Sequence, residues 1–215
     1  MAQDKSHKQQ NTLHLCALAG AHAVGFVASA GLLTGVVGPT GDLSKLGAAP
    51  FVAAATALFV LMVNAQASDV LKARVVFLKW RDPLPGSEAF SRWMHAHPDI
   101  DPGAVQAAVG VLPKAGAEQN RAWRQLYHTM ETHPAIADAS REYLLARDTT
   151  FLGLIFSLVF GAAVWFFPSA VEWRATYAVL AAGFTLLTWR AARLNGIRLV
   201  RMVLARVPRP SQSRA

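Results

Sequence analysis

The sequence predicts an all-α integral membrane protein: four transmembrane helices arranged as two hairpins, with a small helical cytoplasmic insert between helices two and three. Three observations carry this. Four apolar runs, at residues 12–37, 50–68, 150–167 and 175–189, punctuate the 215 residues. A helix of about 18 or more apolar residues is long enough to cross roughly 30 Å of hydrocarbon. Charged residues make up 16% of the chain, against about a quarter in a soluble domain. The basic residues also avoid alternate loops. Lys5 and Lys8 precede the first run, ten lie in the insert and seven follow the fourth run, whereas only Lys45 and Arg174 fall in the two remaining loops. That is the positive-inside pattern, and it places both termini and the insert on the cytoplasmic side; the abundance of alanine and arginine and the compact topology suggest a bacterial inner membrane.

The divisions follow: a cytoplasmic tail over 1–11, hairpin one over 12–68, the insert over 69–149, hairpin two over 150–189, and a basic juxtamembrane helix with a disordered tail over 190–215. The net charge of +8 and the pI near 10.3 raise nucleic acid as a partner. The insert is nearly neutral, however, and the excess lies in the arginine-rich C-terminal segment, so a nucleic-acid role is not expected.

Run one contains Ala28-Ser29-Ala30, which looks like a cleavage site, but it stays apolar through Val37, too long for a signal-peptide core. It is expected to be retained. Gly38-Pro39-Thr40-Gly41 ends it in a turn, and the short loop to Pro50 makes helices one and two an antiparallel pair. Helix two is expected to extend as a charged helix from Asp69 through Lys72, Arg74, Lys79 and Trp80, until Pro83-Leu84-Pro85-Gly86 stops it. Ser87 caps a short helix carrying Phe90, Trp93 and Met94. Asp101-Pro102 starts another that closes near Gly110. Trp123, Leu126, Tyr127 and Met130 recur at helical spacing within 117–132. A last helix over 135–148 runs into helix three.

Helix four is short, about 22 Å at the standard rise for its 15 or so residues. It is lengthened by headgroup residues such as Trp173 and by snorkelling of Arg190 and Arg193. Beyond it, Leu199, Val200, Val203, Leu204 and Val207 share one side and Arg190, Arg193 and Arg201 the other. This predicts an amphipathic helix on an anionic leaflet, bent away at Gly196.

Candidate functional residues fall into three groups. Small residues four apart, Ala21, Gly25 and Ser29 in helix one and Gly153, Ser157 and Gly161 in helix three, let backbones approach closely in lipid. They pack one bundle or join a homo-oligomer. His22 and Asn64 are polar groups within spans, which are costly there unless partnered or functional. In the insert, Trp80, Phe90, Trp93, Trp123 and Tyr127 are large rings for about eighty residues, and they form either a small core or a surface for a cytoplasmic protein partner.

Cys16 stands alone, so no internal disulfide forms. His95, His97, Asp99 and Asp101 alternate, but Pro98 and Pro102 prevent the strand on which alternate residues would converge, and no metal site is expected. No catalytic or cofactor motif appears. The expectation is therefore a non-enzymatic membrane protein whose insert couples to a partner or signal. The alternatives are a small oligomeric pore or transporter component, and an interfacial enzyme built from Asp69, Arg74, Arg147 and Asp148.

Overall fold

The computed structural model describes residues 11, 14–17, 19–20, 49–166 and 171–208, without the side chains of residues 49, 50, 52, 53, 56, 160–166 and 171–177. Every regular element among the described residues is helical, as the sequence predicts. Helix α1 is Ala49–Gln66, α2 Asp69–Phe77, α3 Pro102–Val109, α4 Gly116–Met130, α5 Pro134–Phe166 and α6 Val171–Ala205, with a 3-10 turn at Pro85–Glu88 and a π turn at Ala89–Trp93 between α2 and α3. By contacts the chain divides into two compact units: Met1–Ala67 with Asp148–Trp189, and Ser68–Arg147 with Arg190–Ala215.

The first unit buries Phe151, Leu152 and Phe156 of α5 but leaves many other large apolar side chains exposed. On α1 small or polar Ala57 and Asn64 are buried with Val60, while Phe51, Leu58, Phe59 and Met62 point outward. Leu158 on α5 and Val179, Leu180, Leu186 and Leu187 on α6 are likewise exposed. Small and hydroxyl-bearing residues line the contact between α5 and α6. A Cβ at Gly153 would lie 3.2 Å from Thr185 Oγ1, and Ser157 Oγ stands 3.3 Å from that same oxygen. Ser157 also donates to the Gly153 carbonyl at 2.8 Å. Among the described residues, no helix is long and apolar enough to cross a membrane; described side chains of the third run stop at Val159 and those of the fourth begin at Ala178.

The second unit has an ordinary core. Phe90, Met94, Ile100, Val105, Trp123, Ile136 and Tyr143 pack with Leu199, Val200, Val203, Leu204 and Val207. This corrects the reading of the C-terminal helix. Its apolar side does not lie on a leaflet; Leu199, Val200, Val203, Leu204 and Val207 are part of the core of the insert. Burying five such side chains contributes on the order of 10 kcal/mol before entropy is counted. Nor does Gly196 serve as a bend. The helix is continuous from Val171 to Ala205, and a Cβ at Gly196 would fall 2.8 Å from Phe77 Cζ and 3.0 Å from Tyr143 Cε2. The glycine admits two rings.

Other elements follow local chemistry. Asp101 caps α3 as expected, accepting from the amides of Gly103 at 2.9 Å and Ala104 at 3.2 Å, and Gly110 ends the helix at φ 80°. Helix α5 runs unbroken through the end of the insert into the third apolar run. Two expectations fail. The charged continuation of helix two is a separate helix, since Ser68 turns out of helical geometry and its Oγ accepts from Leu71 N at 3.2 Å. Ser87 caps nothing. The turn begins at Pro85, and Ser87 lies buried inside it, its amide donating to Leu84 O.

The crowding at Gly196 gives a first prediction. Gly196→Ala gains up to about 1 kcal/mol of helix propensity but overpacks Phe77 and Tyr143 by about 1–3 kcal/mol. A net loss of about 1–2 kcal/mol is expected, read as a lower unfolding midpoint by near-UV circular dichroism. A stabilised variant would show that the rings move aside freely.

Candidate functional site

The insert presents an open groove of about 470 Å³ between α3 and α4. Ala108 and Val109 of α3, Val111 and Pro113 of the connection, and Arg121, Ala122, Gln125 and Leu126 of α4 line it, with Glu118 and Thr129 at the margins. Gly110 produces the connection: its positive φ lets the chain leave α3 sharply, and Val111 is left 93% exposed. The lining mixes apolar side chains with Glu118, Arg121, Gln125 and Thr129, a composition that can take a short peptide segment by apolar and polar contacts together.

Gln119 holds this region together. Its side chain is buried, and its Oε1 accepts from Phe90 N and Ser91 N, both at 3.1 Å, and from Ser91 Oγ at 3.2 Å. Its Nε2 donates to Lys114 O at 3.0 Å. One amide thus ties α4 to the π turn and to the connection that borders the groove. Gly86 sits against α4, where a Cβ would meet Trp123 Cε3 at 2.6 Å.

The five insert rings do not form one surface. Phe90 and Trp123 are buried core residues, so their role as docking groups is corrected to packing. Tyr127 stacks on Trp123 at 5.7 Å between centroids and donates its hydroxyl to Ser140 Oγ at 3.1 Å. Trp93 is half-buried with the Arg92 guanidinium 4.6 Å from its ring centre. Only Trp80 is fully offered, at 81% exposure. The groove residues and Gln119 escaped the sequence reading. Gln119 has no local signature, because its π-turn partners lie 28 and 29 positions away.

Of the interfacial enzyme set, Asp69 and Arg147 form an ion pair at 3.1 Å, with Arg147 buried and its guanidinium 5.9 Å from the Tyr143 ring centre. Arg74 is directed elsewhere, over Trp80 at 5.8 Å. Asp99 faces His97 at 3.3 Å, Asp101 is occupied as a cap, and among the described residues no three His, Cys, Asp or Glu side chains converge. Asn64 is buried, and its Oδ1 has no hydrogen-bond partner among the described residues. Its suggested companion His22 lies outside the described residues, as do Ala21, Gly25 and Ser29. Gly161 is within α5, but its surroundings also lie outside them.

Glu88 links the end of α2's loop to the π turn through Lys79 and Arg92. Burial alone would raise its carboxyl, but the hydrogen bond and charge of Lys79, with Arg92 behind it, outweigh burial and hold it below the usual 4.5. A depressed carboxylate stabilises the fold above its unfolded pKa, and that contribution is lost as pH falls from about 4.5 through the lower folded value. Glu88→Gln should therefore lower the unfolding midpoint modestly at neutral pH and flatten its dependence below pH 4.5. The effect is small because the pair is partly solvated. An unchanged acid limb would remove Glu88 from the account. Comparisons with protein-family models, with curated proteins and with solved structures find no match for this chain.

Proposed function

We propose that the chain is a multi-pass bacterial inner-membrane protein with both termini inside. Its insert and C-terminal helix together form one non-enzymatic cytoplasmic module that couples to a protein partner through the α3–α4 groove. The observation that carries this is the contrast between the two units. Phe51, Leu58, Phe59, Met62, Leu158, Val179, Leu180, Leu186 and Leu187 are exposed in the first beside buried Phe151, Leu152 and Phe156, whereas the second packs most of its large apolar side chains into one core. Water penalises the first arrangement at about 25 cal/mol per Å² of apolar surface, and lipid does not. The apolar runs and the uneven placement of lysine and arginine favour the same solvent and orientation.

Two measurements test it. With Cys16 replaced by Ala, an impermeant maleimide should label Asp42→Cys in intact cells and Gln125→Cys only after permeabilisation; the reverse order would overturn the orientation. A photo-crosslinking residue at Gln125 should give a defined protein adduct that Val111→Asp abolishes while unfolding changes by less than about 0.5 kcal/mol, as for an exposed site. The same adduct pattern from a probe at exposed Arg141 would overturn the groove.

A second reading, a small oligomeric pore, draws on one observation, the buried Asn64 whose carbonyl oxygen has no hydrogen-bond partner among the described residues. It predicts ion flux through liposomes carrying the purified chain, reduced severalfold in Asn64→Leu. Silent liposomes at high protein loading would dismiss it.

A further inference from the structure

Helix α2 buries Ala73 and Val76 but also a lysine, and leaves branched apolar side chains partly open on its other side. Lys72, Ala73 and Val76 are its buried residues, whereas Val70, Leu71 and, just past its end, Leu78 are exposed. At 100° per residue, positions 70, 71, 74 and 78 fall within one stripe about 100° wide. A lysine inside and branched apolar side chains outside is the reverse of what solvent selects.

The loop that follows continues this face. Leu78 and Asp82 both have left-handed backbones, with φ of 53° and 47°. For leucine that conformation is a true outlier and costs about 1 kcal/mol or more. These two residues bracket Lys79, Trp80 and Arg81, and Trp80 is 81% exposed with the Arg74 guanidinium against its ring. Neither Arg74 nor exposed Arg81 makes an ion pair among the described residues. The surface therefore combines an outward indole, three aliphatic side chains and two arginines whose charge no carboxylate answers.

We propose that this face, formed by Val70, Leu71, Arg74, Leu78, Trp80 and Arg81, is a foot that seats in anionic phospholipid headgroups at the cytoplasmic leaflet. The inference rests on the membrane reading above and adds to it a lipid class and a site. Charge complementarity selects the occupant: Arg74 and Arg81 meet lipid phosphates, and the indole takes the interfacial position that its apolar body and polar N–H favour. Chain reach agrees. Asp69 follows Gln66, the last residue of α1, by three residues, at most about 11 Å of extended chain. With α1 ending at the hydrocarbon edge, α2 begins within about a headgroup layer of it. The C-terminal helix, whose apolar side is committed to the core, cannot take this role.

The test uses the full-length chain reconstituted into vesicles of phosphatidylcholine alone or mixed with phosphatidylglycerol, with acyl chains brominated near the headgroup. The Trp80 signal is the emission lost in Trp80→Phe. Bromine should quench that component severalfold more in the anionic vesicles, and iodide in the water phase should reach it less. The double variant Arg74→Gln, Arg81→Gln should reduce the docked-to-free ratio on the order of tenfold or more, as two basic groups at an anionic surface imply. If the chain resists carbonate extraction but Trp80 stays open to iodide in both vesicle types, the foot is overturned alone, and a Trp80 shielded only by an added protein has the same consequence. If carbonate washes the chain from the vesicles, the membrane reading fails and the foot with it.

Discussion

The C-terminal half of α6 closes the core of the second unit, and most of that unit's other features depend on the closure. Up to the start of α5 the insert holds helices of at most 15 residues joined by irregular turns, and in so small a unit each wall of the core is a large share of the buried surface. Leu199, Val200, Val203 and Leu204 supply one such wall. They meet Ile136, Ala139 and Tyr143 from α5 together with Phe90 and Trp123. Gly196 is needed because two rings, Phe77 and Tyr143, converge on one point of the same helix. The arginines of this segment then lie at the periphery, where Arg198 reaches Glu142 at 2.9 Å and Arg201 donates to Ala96 O at 3.1 Å.

Closing a core against irregular chain leaves backbone groups that regular ladders do not satisfy. Here Gln119 takes that burden. The 3-10 and π turns at Pro85–Trp93 leave the amides of Phe90 and Ser91 turned toward α4, and a single buried side-chain oxygen receives both. Its amide group fixes the Lys114 carbonyl at the opposite end of the connection. These bonds fix α4 against the π turn and against the connection whose residues Val111 and Pro113 border the groove.

What could be read from the sequence was what local chemistry decides. The Asp101-Pro102 start, the Gly110 stop, the ring spacing in α4 and the unbroken passage of α5 each depend on residues within a turn or two. The C-terminal helix shows the limit. Its apolar stripe was legible, but a stripe names a face and not what covers it; a leaflet and the Ile136 and Tyr143 side of α5 satisfy the same pattern. Gln119 was invisible for the same reason, since its acceptor role exists only once the π turn has folded beside it. Ser68-Asp69 did carry a capping signal, a hydroxyl followed by an acid in the first turn, but apolar residues on both sides of it concealed the break. For the intramembrane candidates, Gly153 and Ser157 occupy the close approach that small residues permit, with Thr185 opposite.

The break at Ser68 has a wider consequence than a shifted boundary. Had α1 continued straight into the charged segment, the positions of Val70, Leu71 and Arg74 would be set by the phase of the apolar run, and a 100° step per residue would carry the stripe on unchanged. Ser68 leaves helical geometry at ψ 150°, which breaks the helical phase. The residues after it are then free to place Lys72 inward and Leu71 outward. Two independent costs accumulate on this short element, aliphatic groups left outside and a left-handed leucine at its end. Val70 and Leu71 stay about 40% exposed, and Leu78 ends α2 as a left-handed C-cap with its side chain outward. Marginally stable folds do not keep several such costs together on one face without a compensating environment. The environment that relieves exposed Val70, Leu71 and Leu78 must be apolar, and the one that answers Arg74 and Arg81 must be anionic. A headgroup layer over hydrocarbon is both, within a few ångströms of depth.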